Sequence, residues 1–102
     1  MLNSVVLIGR LTREPELRFT ESNKAVATFT LAVDRPFNKD ETDFIPVVVW
    51  QKQAENCANY LSKGSLAAVE GRIQVRSWEK DGQKRWATEV VANNVRFLDR
   101  KD

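Results

Sequence analysis

Trp78 closes a run from Leu66 in which alternation sends Val69, Ile73 and Val75 to one side of an extended chain and Arg72, Gln74, Arg76 and Trp78 to the other. An indole belongs in a core or a contact. Held in phase with Arg72 and Arg76, it fits a platform on which a base stacks while cations hold the phosphates. Phe37, Phe44 and Trp50 lie on or beside loops and mixed strand faces, with Arg10, Arg18, Arg35, Lys52, Lys63, Arg72, Arg76, Lys80, Lys84 and Arg85 interspersed among them. Stacking contributes about 1–3 kcal/mol per base whatever the base, and basic side chains add a salt-sensitive part through counterion release. Together these favour single strands over a duplex, whose bases are already stacked.

Each of these residues also has a plainer reading. Any single Lys or Arg is more often a solvated surface group paired with the abundant Glu and Asp, so only the cluster carries weight. The strand of Trp50 is apolar on both faces, which by itself places that indole in a core. Trp86 shares a face with Thr88 and Val90 and reads as partly buried cross-strand packing. Phe19, Phe29 and Phe97 read as core.

Other chemistries fare worse. The chain has no His to serve as a general base, and Cys57 falls on the apolar phase of a helix, where a thiol is inert. No glycine loop suited to a phosphate is present. Glu14, Glu16 and Glu89 are the conceivable carboxylates, yet nothing in the linear sequence brings two of them together. The Lys39 to Asp43 run lacks the spacing of a calcium loop and reads as a solvated turn. No catalytic residue, metal or cofactor is assigned, and the expectation is a binding protein rather than an enzyme.

The elements must place the aromatics on a surface. At 102 residues the chain reads as one domain, 1–102, able to bury roughly 60–70% of its unfolded surface. A net charge of +2 is so small that a polyanion would need the cations gathered on one surface. The lone Cys57 excludes an intramolecular disulfide and fits a reducing, cytoplasmic setting. No apolar run is long enough to span a bilayer, and the N-terminus lacks the order of a secretion signal.

Asn3 to Leu11 is a strand apolar on both faces, interrupted by Gly9, and its composition predicts cover on two sides. After extended structure at Leu17 to Phe19, a strand from Ala25 to Val33 turns Phe29, Leu31 and Val33 inward and Thr28 and Thr30 outward. Arg35 to Thr42 reads as a projecting hairpin loop, and Phe44 to Trp50 as a strand in which Pro46 points to an edge or a bulge. Ala54, Cys57, Ala58 and Leu61 recur at helical spacing, with Gly64 as the expected stop. Leu66 to Trp78 and Trp86 to Phe97 form a last hairpin about Asp81-Gly82. The expected fold is therefore all-β: a five-stranded Greek-key barrel of the oligonucleotide-binding (OB) type, with one short helix between strands 3 and 4 and bends at Gly9 and Gly71. An open sandwich is the main competitor.

Asn3 to Thr12, Pro15 to Arg18, Ala25 to Ala27, Leu31 to Val33, Tyr60 to Ser65, Glu70 to Arg72 and Thr88 to Val90 together resemble bacterial single-stranded DNA-binding proteins from Asn3 to about Phe97. No single piece is specific, but the order and spacing are. The resemblance implies an OB barrel assembled as a homotetramer that coats single-stranded DNA without sequence preference in replication, recombination and repair, in the cytoplasm with the nucleoid. It implies stacking on Phe37, Phe44, Trp50 and Trp78, which moves Trp50 from core to ligand contact. Phosphate contacts are implied for Arg18, Lys52, Lys63, Arg76 and Arg85, less securely for Arg10 and Arg72, while Arg35 comes only from its place among the cations interspersed with the aromatics. Gln74 and Ser77 stand where some members are basic, so a shallower salt dependence is expected. The Pro36 to Asp43 loop is shorter than in many members, and wrapping is expected to be less extensive.

Members usually continue into a polar tail with an acidic tip that recruits replication and repair proteins, whereas this sequence ends at Arg100-Lys-Asp102. Tail-dependent partners are accordingly not expected to bind it. Two alternatives stay open: a related primosomal or RNA-binding barrel, and a structural interaction module whose exposed aromatics are subunit contacts.

Overall fold

The computed structural model of the chain describes residues 1–99, so the Arg100 to Asp102 end lies outside the described residues. In chain order the elements are β1 (Val5–Leu11), β2 (Glu16–Phe19), β3 (Ala25–Arg35), β4 (Asn38–Trp50), α1 (Gln51–Tyr60), β5 (Leu66–Lys80) and β6 (Gln83–Phe97). The strands are ordered β1-β5-β6-β4-β3-β2, and a further β1–β3 pairing closes the first five of these into a barrel. β2 hangs outside the ring on β3. Counted within the barrel, α1 sits between the third and fourth strands, as the sequence predicts.

Two short junctions achieve closure. β1 runs antiparallel to β5 from Val5↔Gly71 to Arg10↔Leu66, and its last residues also pair with β3 at Arg10↔Ala32 and Leu11↔Leu31. β4 and β6 lie parallel and meet only at Val47↔Val90 and Val48↔Val91. Where strands change neighbours their backbones nearly touch. A Cβ at Gly9 would stand 2.3 Å from the Ala32 carbonyl oxygen, and one at Gly71 would stand 2.1 Å from that of Val91. The two glycines mark closely approaching backbones as well as the bends read from the sequence.

At Gly71 the register shifts, Glu70 facing Asn94 while Gly71 faces Ala92, so Asn93 is the extra residue of a bulge. Its stranded backbone groups are taken up by α1. The Gln53 side-chain amide donates to the Asn93 carbonyl at 2.6 Å, and its oxygen accepts from the Val95 amide at 2.9 Å. Ala54 and Cys57 bury the inner side of the same helix among Leu11, Ala27, Leu31, Val49 and Val69. The helix ends at Tyr60, four residues before the expected stop: Leu61 is extended, its amide still bonded to Cys57, and Gly64 belongs to the next turn, where its amide donates to Leu11.

Alternation places Phe29, Leu31, Val47, Val49, Val69 and Val90 in the core, with Val33 and Ile45 packed against it. The expected cover on both sides of β1 is absent within one chain, since Val6 is 65% and Ile8 56% exposed. Phe19 and Phe97 also depart from the core reading. Phe19 is on the outlying β2, and Phe97, at the end of β6, packs its ring 6.0 Å from that of Tyr60. Pro46 costs no ladder bond, because the carbonyl of its partner Thr30 accepts from Thr12 instead, and β4 has no second neighbour until Val47.

Because β1 leaves β5 at Gly71 and β4 leaves β6 at Val47, the far half of the β5–β6 hairpin projects as a two-stranded ribbon, closed by Asp81 and Gly82 at φ 53° and 77°. The side chain of Asn3 exchanges two hydrogen bonds with the Ile73 backbone at its root, at 2.8 and 2.9 Å. Ile73 and Val75 share a face with Val69 as expected, yet Val75 is 59% exposed because no strand lies beneath the ribbon. Gly71→Ala should destabilise the fold by about 3 kcal/mol, since neither backbone can retreat. Ser77→Ala on the exposed ribbon should stay within about 0.5 kcal/mol of the natural chain, with urea unfolding midpoints as the measurement.

Candidate nucleic-acid interface

The outer faces of β2, β3 and β4 carry aromatic and cationic side chains in shared rows. Arg18 pairs with Val26 and Val26 with Trp50, so cation and indole lie on one face with backbones about 10 Å apart across two strand spacings. Six residues further along β3, about 20 Å at strand rise, Arg10 pairs with Ala32 and Ala32 with Phe44. Trp50 is 42% exposed, which overturns the core reading from its apolar strand: Val47 and Val49 take the inner phase and Trp50 the outer. Phe37 is fully exposed at the tip of the β3–β4 hairpin.

On the ribbon, Trp78 faces Arg85 across the strands, and the Arg76 guanidinium carbon lies 5.0 Å from the indole centroid. Arg76 also bonds through Nε to Glu89, whose carboxylate is buried while the arginine stays accessible. Glu89 thereby fixes the cation beside Trp78. Arg76, Ala87 and Glu89 form one wall of a groove of about 420 Å³ whose other side is Thr28, Thr30, Pro46 and Val48, with Arg13, Glu14, Glu16 and Arg18 at its edge.

That groove gathers Glu14, Glu16 and Glu89, which the linear sequence could not connect. Glu89 is occupied by Arg76, and among the described residues no group of three or more His, Cys, Asp or Glu is placed to hold a metal ion. Cys57 is buried, and desolvation pushes its thiol up to about 11, so it stays protonated and inert at neutral pH.

The expected phosphate contacts divide into free and engaged groups. Lys52, Lys63, Arg72 and Arg85 are exposed, as is Arg18. Arg10 donates to the Gly64 carbonyl at 2.9 Å and lies 3.7 Å from Asp99, tying β1 to the turn before β5. Arg35 grips Asp43 through Nε and Nη2, at 3.2 and 3.0 Å, and reaches Glu41 as well, bracing the hairpin that presents Phe37. Between Asp34↔Thr42 and Arg35↔Asn38 three residues bulge from β4, and this clamp holds the loop closed across them.

Two cations escaped the sequence reading. Lys24 lines a recess with Thr20, Ser22, Trp50 and Gln51, and Arg13 lines the main groove. Neither neighbours an aromatic in sequence, so only the β2–β3–β4 register reveals them. Trp86, expected to be partly buried, is 63% exposed because its ribbon face has no covering strand.

A closed five-stranded barrel with one helix between its third and fourth strands is an OB fold, and exposed aromatics with adjacent cations on its outer face mark a nucleic-acid-binding member of that class. The chain belongs to the single-strand binding protein family, which it matches over residues 2–98. It is 63% identical over 103 residues to the single-stranded DNA-binding protein of Clostridium tetani, covering 96% of this chain and 71% of that one. Single-stranded DNA-binding protein 3 of Listeria innocua is 58% identical over 106 residues, covering 99% and 66%. The single-stranded DNA-binding protein of Halalkalibacterium halodurans is 61% identical over 104 residues, covering 97% and 62%. The chain thus spans between 62% and 71% of the length of these relatives.

The Arg35 clamp has a pH signature. Hydrogen bonds from Arg35 hold the Asp43 carboxyl below its usual 3.8. A depressed folded-state value means the stabilisation is complete above the ordinary carboxylate range and is lost as pH falls through the lowered value. Protection of the Phe37 to Thr42 amides, taken relative to their intrinsic exchange rates at each pH, should therefore fall on acidification below that range. In Asp43→Asn protection should already be low at neutral pH and lack the acid-dependent step; identical profiles in the two proteins would show that the clamp does not order the hairpin.

Proposed function

We propose that this chain is a single OB-fold domain that binds single-stranded DNA without sequence preference, coating and protecting it in replication, recombination and repair. The carrying observation is that Phe37, Phe44, Trp50 and Trp78 are all solvent-accessible, each with a cation in its own row, hairpin or ring contact. Bases stack on these four rings. Arg18, Lys52, Lys63, Arg72, Arg76 and Arg85 meet phosphates, while Arg10 and Arg35 offer only the part of their guanidinium that their present partners leave accessible. No step of the reading requires catalysis or a cofactor. No described helix is long and apolar enough to cross a membrane, and a nucleoid-associated, cytoplasmic placement follows from the ligand.

The mixed charge of the groove supports a stacking-led mode. Arg13, Arg18 and Arg76 share it with Glu14, Glu16 and Glu89, so few net charges are available for counterion release. Titrated with oligo(dT), the chain should lose tryptophan fluorescence, and duplex of equal length should leave it unchanged. Trp78→Ala should weaken binding about tenfold, and each phosphate contact removed should reduce the log–log salt slope by about 0.7. Emission unmoved by oligo(dT) would leave the indoles as core or interface residues and promote the interaction-module reading.

The same reading includes a homotetramer whose contact runs through the outer face of β1, where Val6 and Ile8 stand uncovered. Ile8→Glu should lower the mass measured by sedimentation while oligo(dT) still quenches Trp78. An unchanged mass would move the interface elsewhere.

A further inference from the structure

Trp86 is not among the four rings assigned to bases above, and its surroundings are those of a ligand platform. In the ribbon register Trp78 faces Arg85 and Ser77 faces Trp86, so the two indoles project back to back from opposite sides of one two-stranded ribbon. Each has a cation against it: the Arg76 guanidinium 5.0 Å from the Trp78 ring and the Lys84 ammonium 5.8 Å from the Trp86 ring. Ser77, directly across from Trp86, is too small to cover it, and the apolar floor at Val75 is open as well. β1 and β4 both stop short of this part of the ribbon, so among the described residues no other strand supplies a lid.

We infer that Trp86 and Lys84 form a further base-stacking site for single-stranded nucleic acid, on the reverse face of the ribbon, continuous with the Trp78 site around the ribbon edge. The inference rests on the single-strand-binding reading proposed above and extends its path across both faces of the ribbon. The occupant is nucleic acid rather than a second protein surface because of charge. Lys84 lies against the ring, with Glu79 as its cross-strand neighbour on the same face, whereas the desolvated centre of a protein interface is depleted of lysine. An ammonium beside a stacked base is, by contrast, well placed for the adjoining phosphate.

The test uses the full chain. With Trp50→Phe and Trp78→Phe combined, Trp86 is the sole tryptophan; its emission should fall on titration with oligo(dT) and not with duplex. In the otherwise natural chain, Trp86→Ala should weaken oligo(dT) binding about tenfold, and Trp86→Phe should restore most of the loss. An exposed site makes these substitutions safe for folding, and unfolding midpoints confirm it. If the sole Trp86 is silent while a chain with Trp78 alone is quenched, the reverse-face site is refuted and single-strand binding stands. If neither is quenched, both readings fall. If Trp86→Ala lowers the sedimenting mass while oligo(dT) affinity per subunit is unchanged, Trp86 is a subunit contact and the inference is overturned.

Discussion

Closure of the barrel is the constraint on which the rest depends. The β1–β3 and β4–β6 junctions are only a few residues long, and at the β1–β3 contact and the β5–β6 bulge the main chains approach more closely than a Cβ permits. Gly9 and Gly71 remove that obstacle. Once closed, the ring has a defined inside, and alternation along β3 and β4 sorts each side chain to core or surface. Leu31 and Val49 go in, and Thr28, Phe44 and Trp50 go out. The site is the outward half of the pattern that builds the core, so a one-residue slip in either strand would bury the aromatics and expose the aliphatics.

The bulge at Asn93 links closure to the helix. An extra residue leaves backbone groups unpaired, which would be costly in a partly buried setting. Gln53 satisfies the carbonyl of Asn93 and the amide of Val95. The helix thus plugs the barrel end with Ala54 and Cys57 and repairs its sheet with a polar side chain. Its first residue, Gln51, follows directly on Trp50, so the docking that satisfies the bulge also anchors the end of the strand bearing that indole.

Much of this was legible in the sequence, because alternation and turn chemistry are local. The faces of Phe29 and Leu31, the Asp81-Gly82 hairpin and the phase shared by Arg76 and Trp78 needed only period-two reasoning. What failed depended on non-local register. The strand of Trp50 is apolar in both phases, and only its pairing with β3 reveals which phase is inward. Phe19, Phe97 and Trp86 sit in ordinary strand patterns, but their strands extend past their neighbours, and overhang leaves no trace in sequence. Lys24 joins Trp50 solely through the β2–β3 turn and the β3–β4 ladder. The Arg10 tie to Gly64 and Asp99 spans most of the chain and is equally silent.

Charge and aromaticity carry unequal weight at the surface. A net charge of +2 leaves little long-range field, and Arg35, Arg76 and Arg10 already have carboxylates within ion-pair distance. A phosphate approaching them must compete with those partners, which lowers its net gain. The rings of Phe37, Phe44 and Trp50 face no such competition: an exposed ring gives up only water when a base covers it, and gains about 1–3 kcal/mol whatever the base. Arginines that are partly neutralised still help, because Glu89 and Asp43 hold them still and so hold the rings beside them. On this surface the ion pairs act chiefly as braces for stacking platforms, which is why binding through it should be tolerant of sequence and only moderately sensitive to salt.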